Sequence, residues 1–264
     1  MHFVARLPQL ENSTTPDICV LLCVDLRLFP KLCHYWMLCF CFPHAKTAKM
    51  RGMALVVIGG HSRSVGKTSM VAGLISALPE FHWTAMKITQ FGHGICSADG
   101  KPCDCATTDD HFKAISDERD LSGESDSSRF LVAGAKRSIW VRTRQGMLSQ
   151  AMPDIRHRMA GAENVIMESN SIMGFLDPDL YLTVLDADQE DFKVSANEFL
   201  GRADAVVLHQ TDTAPKWKGV SRDRVAGKPS FLIQPPPYVT PEIVEFVRGK
   251  LKAVSTADLG GLHQ

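Results

Sequence analysis

The sequence lacks an excess of charge of either sign. Its 264 residues include 29 Lys and Arg and 29 Asp and Glu, so the formal net charge is zero. Proteins that bind nucleic acid carry basic faces for the phosphates, and a balanced composition does not favour that class. We therefore expect no nucleic-acid partner. A local basic pocket for a phosphate group remains compatible with these numbers.

Long apolar runs are also missing. The first 52 residues contain apolar patches, but no stretch of about 18 apolar residues that would cross a bilayer. The patches are interrupted by Asp25, Arg27, Pro30 and Lys31. A secretory signal would need a basic start and a clean apolar core, whereas Glu11 precedes the apolar part. We expect no membrane span.

We interpret residues 1–52 as an extension outside the core fold. A misassigned start would explain it, with translation beginning at Met50 or Met53. The alternative is a small Cys-rich extension that binds a partner or a metal.

Cysteine is absent from Ala106 to Gln264. The eight cysteines form two clusters, one within the first 41 residues and one in a short loop that contains Cys96, Cys103 and Cys105. A disulfide scaffold would spread its cysteines through the fold, so we expect a reducing, cytoplasmic location.

From residue 53 to 264 the pattern is that of one α/β domain. Apolar runs predict strands at 54–58, 83–88, 138–142, 164–167, 180–185, 205–209 and 230–233. Helical periodicity predicts helices at 67–78, 129–134, 147–159, 191–200 and 240–251. Strands that alternate with helices predict a mostly parallel sheet with helices on both faces, a three-layer α/β/α fold.

The loop between the first strand and the first helix is typical of phosphate binding. It contains Gly60, His61, Ser62, Arg63, Ser64, Val65, Gly66, Lys67, Thr68 and Ser69. Backbone N–H groups and a helix N-terminus favour an anion here. Lysine reaches the β- and γ-phosphates, and the threonine hydroxyl ligates Mg²⁺. We expect this P-loop to bind ATP or GTP with Mg²⁺.

The spacing of this loop departs from the usual pattern in one respect. The first glycine normally lies five positions before the second, but His61 occupies that position and Gly60 lies six positions before Gly66. A glycine-rich turn without a ligand is the alternative interpretation.

The six-residue spacing, with Val65 directly before Gly66, resembles the loop of dethiobiotin synthetase and its relatives. Some members of this branch carry a signature lysine five positions before the loop lysine, on which a nucleotide-sandwich dimer is built. Ser62 occupies that position in this chain. A homodimer remains an expectation, but not one built on that lysine.

Three further segments resemble the molybdopterin-guanine dinucleotide biosynthesis protein B (MobB) family. They are Lys87-Ile88-Thr89 with Phe91 and His93, then Asp126-Ser127-Ser128-Arg129 with Ala133-Gly134-Ala135, and Val165-Ile166-Met167-Glu168. The Glu-Gly of that family is replaced by Glu168-Ser169-Asn170. The resemblance implies a P-loop NTPase of molybdenum cofactor biosynthesis or metallocofactor maturation, with a protein partner.

Two carboxylates follow from the same layout as candidate catalytic groups beside Lys67. Glu168 ends a predicted central strand, where open α/β sheets hold their ligands, and it could bind Mg²⁺ directly or through water. Asp126 is a second candidate for positioning metal or water, and its alternative role is an N-cap of the next helix. Arg129 would contact phosphate or substrate, or pair with a surface carboxylate.

The base of the nucleotide is weakly specified. Guanine readers often carry Asn-Lys-x-Asp after a late strand, and the corresponding place contains His209-Gln210-Thr211-Asp212. Asp212 would accept from guanine N1 and N2, or it would be an ordinary loop aspartate.

Residues 92–106 form a cysteine loop. His93, Cys96, Cys103 and Cys105 could close a zinc site or hold an iron–sulfur cluster. The alternative is a loop whose thiols bind no metal.

Three functions therefore stay open. The first is a slow Mg²⁺-dependent NTPase in cofactor biosynthesis or metallocofactor maturation. The second is an ATP-dependent synthetase of the dethiobiotin type. The third is a non-catalytic adaptor that uses nucleotide as a switch.

Overall fold

The computed structural model describes residues 52–91, 112–217, 220 and 222–260, without the side chains of residues 222 and 254–260. All of these residues belong to a compact unit that spans Ala45–Gln264. The expectations for residues 1–51 and for the cysteine loop at 92–106 lie outside the described residues.

Eight strands form one sheet, in the spatial order β3-β4-β2-β5-β1-β6-β7-β8. The strands are β1 Ala54–Gly60, β2 Trp83–Phe91, β3 Lys113–Asp117, β4 Arg137–Arg144, β5 Asn164–Glu168, β6 Leu180–Leu185, β7 Ala205–His209 and β8 Ser230–Ile233. Neighbours pair in parallel except β3, which pairs antiparallel with β4 at one edge. The predicted mostly parallel sheet is confirmed, and β3 is an element that the sequence pattern did not predict.

Five α-helices connect and cover the strands within the described residues. They are α1 Lys67–Ala77, α2 Asp126–Val132, α3 Leu148–Met159, α4 Val194–Phe199 and α5 Pro241–Gly260. Short 3-10 turns lie at Pro79–Phe81, Ser171–Gly174, Leu200–Arg202 and Arg222–Arg224. Among these helices, none is both long enough and apolar enough to span a bilayer.

The central strand β1 shows why the sheet is covered on both sides. All seven of its residues are buried. Val56 and Ile58 pack in one cluster with residues of α1, α2 and α5, whereas Leu55 and Val57 pack in a second cluster with residues of α3. Successive strand residues point to opposite faces, so an apolar run buries both faces at once. Helices packed on both faces of the sheet confirm the predicted three-layer α/β/α arrangement.

The register of the central strands brings the functional residues to one edge of the sheet. Glu168 at the end of β5 lies opposite Ile58 of β1 and opposite Lys87 of β2. Since these strands run in parallel, their carboxyl ends open onto the same side as the N-terminus of α1.

Candidate functional site

The phosphate loop turns sharply where it joins helix α1. Gly66 is the N-cap and has a left-handed conformation, with φ 98°. A Cβ at this position would lie 1.9 Å from a ring carbon of Tyr238, so both the conformation and the close approach require glycine. The first N–H groups of α1 have no partner within the helix, and they face the cavity beside the loop.

The Lys67 side chain folds back over the loop. Its Nζ donates to the backbone oxygen of Ser62 at 2.6 Å. Burial lowers the pKa of Lys67 to about 8, although the charge of Glu168 acts in the opposite direction. A negative charge in the loop would stabilise the protonated form of this buried amine, so Lys67 is suited to bind a phosphate group.

His61, at the departure from the usual spacing, anchors the loop from behind. Its ring is fully buried, its Nδ1 donates to the Asp191 oxygen at 2.8 Å, and its Nε2 accepts from the Asp186 N–H at 2.9 Å. This pattern fixes a neutral tautomer, and burial lowers the pKa of the ring. Its backbone N–H donates to the Val184 oxygen at 3.2 Å. The imidazole therefore points into the protein, packed near Phe192 and away from the cavity.

The other loop residues divide between support and exposure. Ser62 is buried and its hydroxyl donates to Gln189 Oε1 at 2.7 Å. Val65 is fully buried, whereas Arg63 and Ser64 are exposed and line the cavity. Ser64 takes a left-handed conformation with φ 55°. Ser62 and Val65 therefore anchor the loop in the fold, whereas Arg63 and Ser64 are exposed to the cavity.

A compact charged cluster lies beside the loop. The Thr68 hydroxyl donates to Glu168 Oε2 at 2.7 Å. Lys87 Nζ pairs with Glu168 Oε1 and with Asp126 Oδ2, the latter at 2.8 Å. The structure therefore brings together three residues that the sequence nominated separately. The fourth member of the cluster is Lys87, which the sequence marks only through a family resemblance.

Asp126 faces this cluster and does not cap its helix. The N-cap of α2 is Ser125, whose hydroxyl accepts from the Ser128 N–H at 3.1 Å. Burial raises the pKa of Asp126, but its hydrogen bond and ion pair with Lys87 outweigh burial, and the net direction is down. Asp126 is therefore held as a carboxylate that points toward Thr68 and Glu168.

Arg129 also points toward the phosphate loop. Its Nη2 donates to the Ser69 hydroxyl at 3.0 Å, and the residue lines the cavity. This contact places the guanidinium beside Ser69 at the start of α1, and its contact with phosphate remains a prediction.

Asn170 braces the entrance to the loop. Its Oδ1 accepts from the Gly60 N–H and its Nδ2 donates to the Gly60 oxygen, both at 2.9 Å. A Cβ on Gly59 would lie 2.4 Å from Asn170 Oδ1, so the paired glycines let this amide approach the backbone closely. Asn170, two residues after Glu168 at the end of β5, thus ties this segment to the end of β1, where the phosphate loop begins.

A second tie comes from the end of β7. His209 Nε2 contacts the backbone oxygen of Val65 at 3.0 Å, in the geometry of a hydrogen bond from the ring N–H. Its ring lies 5.8 Å from that of Tyr238, which leans on Gly66. Asp212 lies exposed on the loop after β7 and is not among the residues that line the cavity. The structure therefore brings His209 to the phosphate loop and leaves Asp212 at the surface.

The cavity at this edge of the sheet has a volume of about 1310 Å³. Its described lining includes five cationic residues, Arg63, Lys67, Lys87, Arg129 and Lys193, and three carboxylates, Asp126, Glu168 and Glu198. A second wall, away from the phosphate loop, includes Phe91, Trp140 and Gln145. The excess of positive charge favours an anionic ligand.

The predicted cysteine-loop ligands His93, Cys96, Cys103 and Cys105 lie outside the described residues. Within the described part of the chain, no group of three or more His, Cys, Asp and Glu side chains is arranged to hold a metal ion.

No family model matches the chain and no curated protein matches it. Solved structures similar to it include HypB from Helicobacter pylori in complex with nickel, with 16% identity, a TM-score of 0.42, and 78% of this chain and 89% of that chain covered. LpxK from Aquifex aeolicus in complex with ATP has 18% identity, a TM-score of 0.39, and 68% and 53% covered. MobB from Bacillus subtilis has 12% identity, a TM-score of 0.33, and 75% and 97% covered. The fold assignment therefore rests on the strand order and the loop described above.

Proposed function

We propose that the chain binds the polyphosphate of ATP or GTP as its Mg²⁺ complex and hydrolyses it slowly. One observation carries this proposal: the N-terminus of α1, Lys67 and the Thr68–Glu168 pair all face one cavity. Helix N-termini and buried ammonium groups attract anions, and a hydroxyl beside a carboxylate attracts a cation. A nucleoside triphosphate with Mg²⁺ satisfies both demands together.

The oxygen donors at the cluster fit Mg²⁺. Thr68 Oγ1, the Glu168 carboxylate and the Asp126 carboxylate converge there, and Mg²⁺ is usually held by one or two carboxylates together with phosphate oxygens and water. An ammonium already lies among these oxygens as a stand-in cation. Bound there, Mg²⁺ would neutralise phosphate charge. The residues of this chain would orient the phosphates and hold the ion.

Lys67 and Arg129 would supply the remaining positive charge. Lys67 would release the Ser62 oxygen and meet the β- and γ-phosphates, and Arg129 would lie beside Ser69 at the start of α1. Removing Lys67 should therefore weaken nucleotide binding and abolish hydrolysis, since phosphoryl transfer depends on charge stabilisation.

The size of the cavity supports a second reactant. Pockets for one small ligand usually have volumes of about 300–1,000 Å³, and this cavity reaches about 1310 Å³. The wall with Phe91, Trp140 and Gln145 would contact that second ligand. A role in cofactor biosynthesis or metallocofactor maturation rests on the family resemblance and remains a prediction.

The synthetase alternative is favoured by the same spare volume. It predicts that nucleotide is consumed only when a small second substrate is added. The NTPase predicts slow hydrolysis without it, and the adaptor predicts tight binding without hydrolysis under either condition. Following phosphate release with and without candidate substrates separates the three.

Base choice remains a prediction as well. His209 contacts the Val65 oxygen of the phosphate loop, and Asp212 follows three positions later in the sequence. If Asp212 accepts from guanine, the Asp212→Asn variant loses GTP affinity and leaves ATP affinity unchanged.

Calorimetry on the full chain tests the proposal. ATP and GTP, each with Mg²⁺, are titrated into the wild type and into Lys67→Ala. We expect one nucleotide to bind with one site per chain and to lose at least about 100-fold in affinity in the variant, as for a buried charge-assisted contact. Arg119→Ala, which changes an exposed residue that is not among those lining the cavity, is the matched control. Equal binding by wild type and Lys67→Ala would contradict the proposal.

A further inference from the structure

Lys87 places a charge inside an otherwise buried strand. The four residues before it in β2, Trp83 to Met86, are buried, and Lys87 itself is 16% exposed. On the sheet it lies between Glu168 of β5 and Trp140 of β4. A lysine at such a position needs acceptors for its three N–H groups, because an unpaired buried charge is costly.

Three oxygens supply those acceptors. Lys87 Nζ donates to Glu168 Oε1, lies 2.8 Å from Asp126 Oδ2, and reaches Thr68 Oγ1 at 3.4 Å. These are the same three residues whose oxygens fit Mg²⁺. The ammonium therefore occupies the space that the ion of a bound nucleotide would need.

We propose that the Lys87 ammonium holds the Mg²⁺ position in the nucleotide-free protein and that the Mg²⁺–nucleotide complex displaces it. The inference rests on the proposed function for the identity of the ion that replaces it. A dication and an ammonium among three shared oxygens repel each other strongly, so the two cannot occupy the cluster together. The carboxylates stay neutralised in either state.

This exchange makes metal binding depend on nucleotide. Free Mg²⁺ has to expel Lys87 and gains only two carboxylates and a hydroxyl in return. Mg²⁺ that arrives with a nucleotide brings phosphate oxygens as ligands, and the phosphates also supply counter-charge for the displaced ammonium. The protein therefore discriminates against the free ion, which would otherwise fill the cluster without productive substrate.

Binding of Mn²⁺ without nucleotide tests the exchange directly. Mn²⁺ takes the same oxygen ligands as Mg²⁺, and its free concentration is measured by electron paramagnetic resonance. The full-length wild type is compared with Lys87→Met and Lys87→Gln, which remove the charge and keep similar length. Lys136→Met is the matched control, because Lys136 pairs with Glu163 at the surface and is not among the residues that line the cavity.

We expect weak Mn²⁺ binding by the wild type and by Lys136→Met, and at least about tenfold tighter binding by both Lys87 variants, since the competing charge is gone. Circular dichroism establishes that each variant is folded. If one of the two Lys87 variants fails to fold, the other still provides the test. Equal Mn²⁺ affinity in all four proteins, or tight binding by the wild type, would overturn the inference. Because no nucleotide is added, this result is independent of whether calorimetry supports ATP or GTP binding.

Discussion

Nucleotide affinity should fall as the pH rises through about 8, because Lys67 must carry its charge to bind phosphate. Burial lowers the pKa of Lys67 to about 8 in the free protein, and bound phosphate oxygens would raise it again. Affinity is therefore complete well below pH 8 and declines as the pH rises through 8. At pH 9 roughly one-tenth of free Lys67 is protonated, so the Kd should be about tenfold higher than at pH 7, about 1.4 kcal/mol.

Two calorimetric observations measure this effect. The Kd is determined from pH 7 to pH 9.5. Above pH 8 the terminal phosphate is already fully ionised, so a change in Kd there does not come from the phosphate. At pH 9, titrations in buffers of different ionisation enthalpy should show uptake of close to one proton on binding. A flat profile with no proton uptake would refute the reasoning about Lys67.

Lys193 is the competing source of such a pH dependence. Burial also lowers the pKa of Lys193, which lines the same cavity. The Lys193→Met variant should nevertheless keep a pH dependence of the same size, because the side chain of Lys67 lies in the phosphate loop itself. Its midpoint should move upward, since the charge of Lys193 helps to lower the pKa of Lys67. Loss of the pH dependence in Lys193→Met would assign the proton to Lys193 instead.

Three further substitutions test how the loop is held. Asn170→Ala removes the partners of the Gly60 N–H and C=O groups and should lower the free energy of unfolding by about 3 kcal/mol in urea titrations. An unchanged midpoint of the urea transition would contradict this role of Asn170. Gly66→Ala forces a left-handed alanine against Tyr238 and should cost about 2 kcal/mol or more, whereas Gly201→Ala, with open space around it, should change stability little. His209→Ala should lower the free energy of unfolding by about 1 kcal/mol. His209→Asn, which keeps a hydrogen-bond donor, should lower it less.

Local patterns predicted most of the sheet because its central strands are buried on both faces and therefore apolar. Local patterns did not predict the strand at Lys113–Asp117, because it is short, half-exposed and polar at both ends. Its antiparallel pairing with β4 depends on a contact that no local pattern encodes. Helix boundaries shifted for a related reason: α2 begins at Asp126 because Ser125 caps it, and serine and aspartate are both good caps.

The site was predictable where one residue type performs one task. The Gly66-Lys67-Thr68 run and the carboxylate that ends β5 could be nominated from spacing alone, and their roles remain predictions. Lys87 carries a usable signal, a charge inside a buried strand, but the local sequence does not identify Glu168 as its partner. Asn170 and His209 carry no such signal in the local sequence. Asn170 bonds to backbone 110 positions away along the chain, and His209 to backbone 144 positions away. Such ties appear only when the fold is known.

A crystal structure of the full chain with Mg²⁺ and a non-hydrolysable ATP or GTP analogue tests the central claim most directly. We predict that the phosphates lie in the loop from Gly60 to Thr68, with Lys67 Nζ moved from the Ser62 oxygen onto a phosphate. Crystals grown in excess analogue that show an empty loop, with Lys67 still bonded to Ser62, would contradict the account.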